Sequence, residues 1–459
     1  MEFFLFDILN KKKEKFIPNN KELVKFYGCG PTVYGPIHIG NARSMVIYDI
    51  FYRILRHIYG KTSVTFIRNI TDIDDKIINK ALEENISPKK LALKNIDLFR
   101  QDMRSLNCLE PTHQPLVSEN IELIIDLINK LIISDNAYLK NGNVYFKIST
   151  YQDYFALSGR NKKESQPYVR IEQDINKQNA EDFILWKAVK SEKEMSFASP
   201  FGIGRPGWHI ECSAMIYKFL GTDIDLHAGG KDLIFPHHSN EIAQSKSLFP
   251  ESNFVKYWVH NGLLTINGQK MSKSLNNIIT VEKAQKMSIA PAILRLFFLN
   301  THYSKNLDYN EKSVMDIKNM FNYWQNSLRN LQQAQNNLDI VPKDFLTEIL
   351  SNLNTHNGIT ILNDKIKHLN KIFSLHKKNI LAQEIFAALN FLGIQNICHT
   401  NSTKNSDTKT INSLIKLREK MRKEKNWSKA DEIKNSLLKK YKIQILDKEN
   451  FLTEWYFLN

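Results

Sequence analysis

The chain is predicted to be an α/β protein built on a parallel sheet, with an insertion in the sheet domain and further units after it. Three observations predict this. VKFYGCG (24–30) reads as a short buried strand closed by glycines, and ARSMVIYDIFYRILRHIYG has the apolar spacing of a helix that stops at Gly60. VTFIRNI (64–70) reads as a second strand. Strand, glycine loop, helix and strand form a βαβ unit, whose ligand loop lies at the carboxyl end of the first strand. Finally, 459 residues are too many for one ordinary core.

Residues 71–135 read as mostly helical. Over 136–200 the pattern changes to strand-like NVYFKIS interrupted by polar turns such as SGRNKKESQ. GWHIECSAMIYKFLG, DIDLHAGG and FVKYWVHNGLL then resume the α/β pattern. From 306 to about 399 the spacing is helical. HTNSTKNSDTKT (399–410) reads as a linker, and two amphipathic helices and a strand, YKIQIL, follow it. The expected units are therefore 1–120 and 201–305 as two halves of one α/β domain, 121–200 inserted between them, 306–400 as a helical unit, and 401–459 as a small terminal unit.

The net charge of +15 and pI near 9.3 favour a polyanionic partner, although a genome rich in Lys, Asn and Ile codons would also produce them. The terminal unit is the most basic compact piece, with 14 Lys and Arg against 8 Asp and Glu over 401–459, which marks it as a candidate RNA-binding module. Cys29, Cys108, Cys212 and Cys398 are too sparse for a disulfide framework. With no secretory signal and no long apolar run, a cytoplasmic protein without a membrane span is expected.

Two loops suit phosphate. In GPIHIGN (35–41) a histidine and a glycine stand at a helix start, where free N–H groups and the dipole attract anions. His38 can donate to phosphate oxygens, and Gly40 lets a flat ring approach the backbone. In KMSKS (270–274), two lysines and two serines follow the Asn267-Gly268 turn and can clamp a triphosphate. Three other segments offer metal donors: Cys29, Cys212, and His237 with Glu241 at i, i+4 on one helix face. Two thiolates, an imidazole and a carboxylate suit tetrahedral Zn²⁺. Taken singly, the cysteines equally suit small buried hydrophobes, His237 a helix cap and Glu241 a surface charge.

The HIGN and KMSKS loops, in this order and far apart, resemble the class I aminoacyl-tRNA synthetases. YGCGPTVY, NITDIDDKI, PGWHIECSAM and FPHHSNEIAQS resemble that class's cysteine-specific family over nearly the whole chain. Asn41 replaces the class's second histidine, as is usual in this branch, and Ser239 stands where the family more often has an acidic residue. The resemblance implies a Rossmann-like catalytic domain with an inserted connective domain, a helical domain, and a C-terminal anticodon-binding domain. It implies ATP with Mg²⁺ as substrate, L-cysteine and tRNA(Cys) as partners, one Zn²⁺ on Cys29, Cys212, His237 and Glu241, and a monomer. His38, Lys270 and Lys273 are then catalytic. Gly40, Asn41, Gly229, Gly230 and Asp232 join them in binding ATP, the last three lying in HAGGKD (227–232), which otherwise reads as a glycine turn. Thr71 and Trp208 line the cysteine pocket, with core packing the other reading of Trp208. Trp427, Asp431 and Trp455 match anticodon-reading positions, though either tryptophan equally suits core packing. His238 either supports the ligand histidine beside it or is structural. A cysteine ligase acting on an amino-sugar would lack the basic terminal unit, and a non-catalytic RNA-binding relative would have no reason to keep His38 and KMSKS.

Overall fold

The computed structural model describes residues 1–160, 176–189, 194–272, 275–331, 334, 340–395, 397, 405–441, 443–447 and 453–457. At its centre is a four-stranded parallel sheet in the order Val255–Asn261, Ile224–Gly230, Val24–Gly28, Val64–Arg68. The chain winds outward one way from Val24–Gly28 and the other way from Ile224–Gly230. The winding therefore reverses between these two strands, and a crevice opens at their carboxyl ends. Cys29 and Gly229-Gly230 sit at that point.

Both faces of the sheet are buried, which is why its strands are rich in apolar residues such as Val24, Phe26, Phe66, Ile67, Leu226 and Val259. Alternate residues face opposite ways. Phe26 and Phe66 stack at 4.3 Å on one face, with the helix Ile39–Tyr59. Tyr27 and Ile67 face the other, with the helices Ile121–Ile133 and Trp208–Leu220. Ile39–Tyr59 begins at His38, whose ring accepts from the Asn41 N–H, and ends at Gly60 with φ 96°, a conformation that suits glycine.

Between the sheet halves, Ala137–Lys140, Asn143–Phe146, Phe183–Ala188 and Gly204–Pro206 form an antiparallel sheet. After the last parallel strand, Leu264–Ile266 and Gln269–Lys270 form a hairpin. Asn267 and Gly268 turn it with φ of 48° and 75°, the left-handed pair such a tight turn requires.

The region expected to be helical from 306 opens instead on a strand, Leu307–Tyr309, paired parallel with Leu264–Ile266. The helices Glu311–Leu328, Lys343–Ile349, Thr355–Leu369 and Leu375–Phe391 follow. A second element without a sequence signal is the hairpin Phe4–Asp7 with Lys12–Lys15. KKEK has no apolar alternation to read, and the backbone pairing to Phe4–Asp7 makes it a strand. The terminal unit comprises the helices Asn405–Lys423 and Trp427–Tyr441 and the hairpin Ile443–Asp447 with Thr453–Phe457. It has its own small core of Ile411, Ile415, Leu437, Ile443 and Ile445.

One buried ion pair ties the sheet domain to the helical region. Arg295, fully buried, donates to Asp49, to Leu392 O at 2.6 Å and to Leu106 O at 2.8 Å. Asp49 also accepts from Arg53 at 2.7 Å and from the Leu109 N–H at 2.7 Å. Burial alone would raise the Asp49 carboxyl, but the Arg295 and Arg53 charges overcome it and leave it below the ordinary range. Asp49→Ala would strand a buried guanidinium, so it is expected to lower stability by about 3–5 kcal/mol. Denaturant titration checks this; a change within ~0.5 kcal/mol would show the pair is not a structural tie.

Candidate metal and nucleotide site

Four side chains from three remote segments meet at the sheet's reversal point. Cys29 follows the first parallel strand, Cys212 lies in the first turns of Trp208–Leu220, and His237 and Glu241 flank the start of the helix Ser239–Leu248. Cys29 Sγ lies 3.9 Å from Cys212 Sγ and 3.6 Å from Glu241 Oε1. His237 Nε2 lies 3.6 Å from Cys212 Sγ and 3.0 Å from Glu241 Oε1. All four residues are buried, and their donor atoms lie within 4.8 Å of one another. The bond lengths of tetrahedral zinc imply edges of about 3.8 Å between sulfurs and somewhat less between sulfur and nitrogen or oxygen. The donor set therefore fits such an ion in type and spacing.

The electrostatics point the same way. Glu241 has no solvent exposure, so burial would raise its carboxyl; His227 and His237 overcome this and hold it well below the ordinary range. Burial disfavours charge on His237, but Glu241 and then Cys212 raise it to about 10. Burial pushes the Cys29 thiol up, while the hydrogen bond from Cys29 pulls the Cys212 thiol down. The pocket thus favours positive charge among Glu241 and the two thiols. A divalent ion would supply that charge.

The next layer orients these donors. His209 Nδ1 lies 2.9 Å from His237 Nδ1, which leaves His237 Nε2 facing Cys212 and Glu241. His227 Nε2 lies 2.8 Å from Glu241 Oε2. His238 Nε2 lies 3.4 Å from Cys29 Sγ and its Nδ1 2.7 Å from His260 Nε2, so Cys29, His227, His238 and Glu241 form a second, overlapping donor set. The set with both thiols is the softer of the two and the better match to zinc. Sequence reasoning missed His209, His227 and His260. A signal existed: five of the chain's 13 histidines fall within residues 209–260.

Trp208, 40% exposed, stacks on the His237 ring at 4.3 Å; it covers the site and is not core filler. Thr71 is buried and donates to Glu211 Oε2 at 3.0 Å. The two phosphate-type loops are adjacent. Ile39 N donates to Ile279 O at 2.9 Å, and a Cβ on Gly40 would lie 2.8 Å from Met271 Cε. Asn277 bridges the loop base, donating to Lys270 O and accepting from Ser272 N. Lys270 is exposed at the hairpin end, while Lys273 lies outside the described residues. Burial lowers the His38 imidazole, against the opposing charge of Asp232. Gly229 and Gly230 close the strand Ile224–Gly230, and exposed Asp232 follows them.

Residues 15–319 match the family described as tRNA synthetases class I (C) catalytic domain. Cysteine–tRNA ligases of Rickettsia bellii (strain OSU 85-389) and Rickettsia felis (strain ATCC VR-1525 / URRWXCal2) are each 44% identical to this chain over 458 residues, covering 99% of both partners. The chain belongs to the cysteinyl-tRNA synthetase family. A Mycobacterium tuberculosis methionyl-tRNA synthetase with methionyl-adenylate superposes with a TM-score of 0.54 at 14% identity, covering 81% of this chain and 89% of that one. A LeuRS–tRNA–LeuAMS complex from Agrobacterium radiobacter K84 gives 0.59 at 10% identity, covering 84% and 86%. These two likenesses establish the fold.

In this cysteinyl-tRNA synthetase family member, the residues expected to read RNA lie apart from the crevice. Trp427, 52% exposed, starts the helix Trp427–Tyr441, and Asp431 is exposed one turn later on the same face. The Trp455 backbone is in the strand Thr453–Phe457, and its side chain lies outside the described set.

A Cβ on Gly229 would lie 2.3 Å from His238 Cε1, whereas one on Gly35 would meet nothing within 4 Å. Gly229→Ala should therefore cost about 1–3 kcal/mol by forcing His238 off its partners, and Gly35→Ala should stay within ~0.5 kcal/mol of the parent. Equal melting curves for the two variants would refute this packing.

Proposed function

We propose that the chain joins L-cysteine to tRNA(Cys) at the expense of ATP, working in the cytoplasm as a single copy. Family membership supports the reaction class. The observation that carries the amino-acid choice is the convergence of Cys29, Cys212, His237 and Glu241 on one buried pocket.

The first step is attack of the cysteine carboxylate on the α-phosphorus of ATP, with pyrophosphate leaving. The carboxylate is already a nucleophile, so the protein needs alignment and positive charge rather than a strong base. His38 stands at the helix start, where its Nδ1 is committed to the Asn41 N–H, and its Nε2 is the donor to phosphate. Gly40 leaves room for the adenine ring, and Asn41 borders the same loop. Gly229, Gly230 and Asp232 hold the adenosine side, with the Asp232 carboxylate accepting from the ribose hydroxyls. Lys270 and Lys273 meet the leaving pyrophosphate, with Mg²⁺ on the phosphates. The second step passes the cysteinyl group to the tRNA 3′ end.

Cysteine and serine differ by one atom of similar size, which a cavity alone separates poorly. Cys29, Cys212, His237 and Glu241 would hold one Zn²⁺, which supplies a preference for thiolate over a neutral hydroxyl. Trp208, stacked on His237, walls the cysteine pocket, and Thr71, held by Glu211, completes its floor. Trp427 and Asp431 serve the anticodon, one by stacking on an unpaired base and the other by accepting from a guanine edge.

Cysteine-dependent ATP–pyrophosphate exchange tests the reading. Chelation is expected to abolish preference for cysteine over serine, with zinc restoring it; unchanged discrimination in zinc-free protein would overturn the metal assignment. Trp427→Ala combined with Asp431→Ala should leave exchange intact while raising the KM for tRNA at least tenfold, since stacking is worth about 1–3 kcal/mol per base. Parallel loss of both activities would make these residues structural.

A further inference from the structure

A polar cavity lies away from the crevice, where the N-terminal hairpin, the segment after the helix Pro291–Leu299 and the start of the helix Thr355–Leu369 meet. Its volume is about 480 Å³. Lys13, His302, Lys305 and His356 line it, together with amides and hydroxyls that include Asn300, Thr301 and Asn357, and no carboxylate contributes to the lining. Among the described residues neither Lys13 nor Lys305 has an ion-pair partner, whereas Lys12 and Lys15 of the same hairpin are matched by Glu14 and Glu2. The first N–H groups of Thr355–Leu369 are already used, since Asn357 N donates to the Asn354 side chain and Gly358 N to the Asn354 carbonyl. The cavity's donors are therefore side chains, and two of them are uncompensated cations.

The walls are fixed. His302 is held by Ser304 and by the Asn352 carbonyl, at 2.9 Å each. His356 Nδ1 donates to Asn300 O at 2.7 Å, and Lys13 Nζ donates to Ser351 Oγ at 2.5 Å. Arg43, fully buried, donates to the carbonyls of Gly262 and Lys305 at 2.8 and 2.7 Å. Arg43 belongs to the helix that begins at His38, so one guanidinium couples the cavity's loop to the nucleotide helix. The loop also meets the sheet at its carboxyl end, where Gly262 N donates to Tyr303 O. Burial first, then Lys305 and Arg43, keep the His302 imidazole below its ordinary value, as expected in a positive field.

Glu348 accepts from Asn354 and Asn357 of the wall at 2.8 and 3.0 Å, but its carboxylate is not itself part of the lining, and two ammonium groups without ion-pair partners beside neutral side-chain donors have the chemistry of a phosphate site. We infer that this cavity takes a phosphate group of the tRNA backbone. The inference rests on the tRNA reading given above. A class I tRNA synthetase must hold a polyanionic tRNA, and a pocket with two lysine ammonium groups outside the crevice can take one of its phosphates. Free inorganic phosphate is the alternative source of the same group.

The test is charging kinetics of the full-length protein carrying Lys13→Glu and Lys305→Glu, singly and together. Both residues are exposed and lie outside the reaction crevice, so cysteine-dependent pyrophosphate exchange should match the parent and report an intact fold. The double variant is expected to raise the KM for tRNA about tenfold. It should also flatten the logarithmic salt dependence of that KM by about one unit for each phosphate no longer neutralised. Lys→Gln variants should show a smaller effect of the same sign. Unchanged KM and salt slope would overturn the inference. It would also fall if millimolar inorganic phosphate raised the melting temperature of the parent but not of the double variant while tRNA kinetics stayed the same, since the site would then serve the free anion. Failure of the parent itself to charge tRNA would instead overturn the proposed function.

Discussion

Glu241 is a carboxylate with no access to water, set within hydrogen-bonding reach of His227 and His237 and 3.6 Å from a buried thiol. An unpaired charge in such surroundings is costly, and the usual outcome is neutralisation or pairing. Here the neighbouring donors are imidazoles and thiols, so the pocket can be balanced either by protons on histidine or by a metal ion. Most local features follow from this constraint. His209 turns one face of His237 inward, His260 holds His238, and Trp208 and Trp258 cover the imidazoles with their rings.

The fold makes this convergence possible. The reversal of winding between Val24–Gly28 and Ile224–Gly230 brings two strand ends together, one followed by Cys29 and the other ending in Gly229-Gly230. The helix carrying Cys212 packs against the helix carrying Glu241 on one face of the sheet, while the helix begun by His38 packs on the other. Metal-type and phosphate-type residues therefore meet at one edge from opposite faces. Gly229 has no side chain because His238 occupies the place a Cβ would take.

Much of this was legible in the sequence because the chemistry is concentrated in short strings. Cys29, Cys212, His237 and Glu241 each sit in a recognisable segment, and HIGN and KMSKS mark the two phosphate-type loops. The parallel sheet was legible because its first two strands, VKFYG and VTFIR, are short, mostly apolar runs on either side of a helical pattern. His227 and His260 were hidden, since they lie in strands and their polar role comes only from cross-strand neighbours. Lys12–Lys15 was hidden because an edge strand of charged residues has no period to detect. The Leu307–Tyr309 strand was hidden because three residues are too few. Arg43 and Arg295 likewise look like surface cations in one dimension, yet each is buried and donates to carbonyls distant in sequence.

The central claim is that the two thiols, His237 and Glu241 hold one zinc whose sphere the substrate sulfur enters. Zinc-edge X-ray absorption of the purified protein measures this directly. The account predicts two sulfur scatterers at about 2.3 Å with nitrogen and oxygen completing the shell, and a third sulfur at the same distance when cysteine is added but not serine. A spectrum with one sulfur, or one that cysteine leaves unaltered, would contradict it.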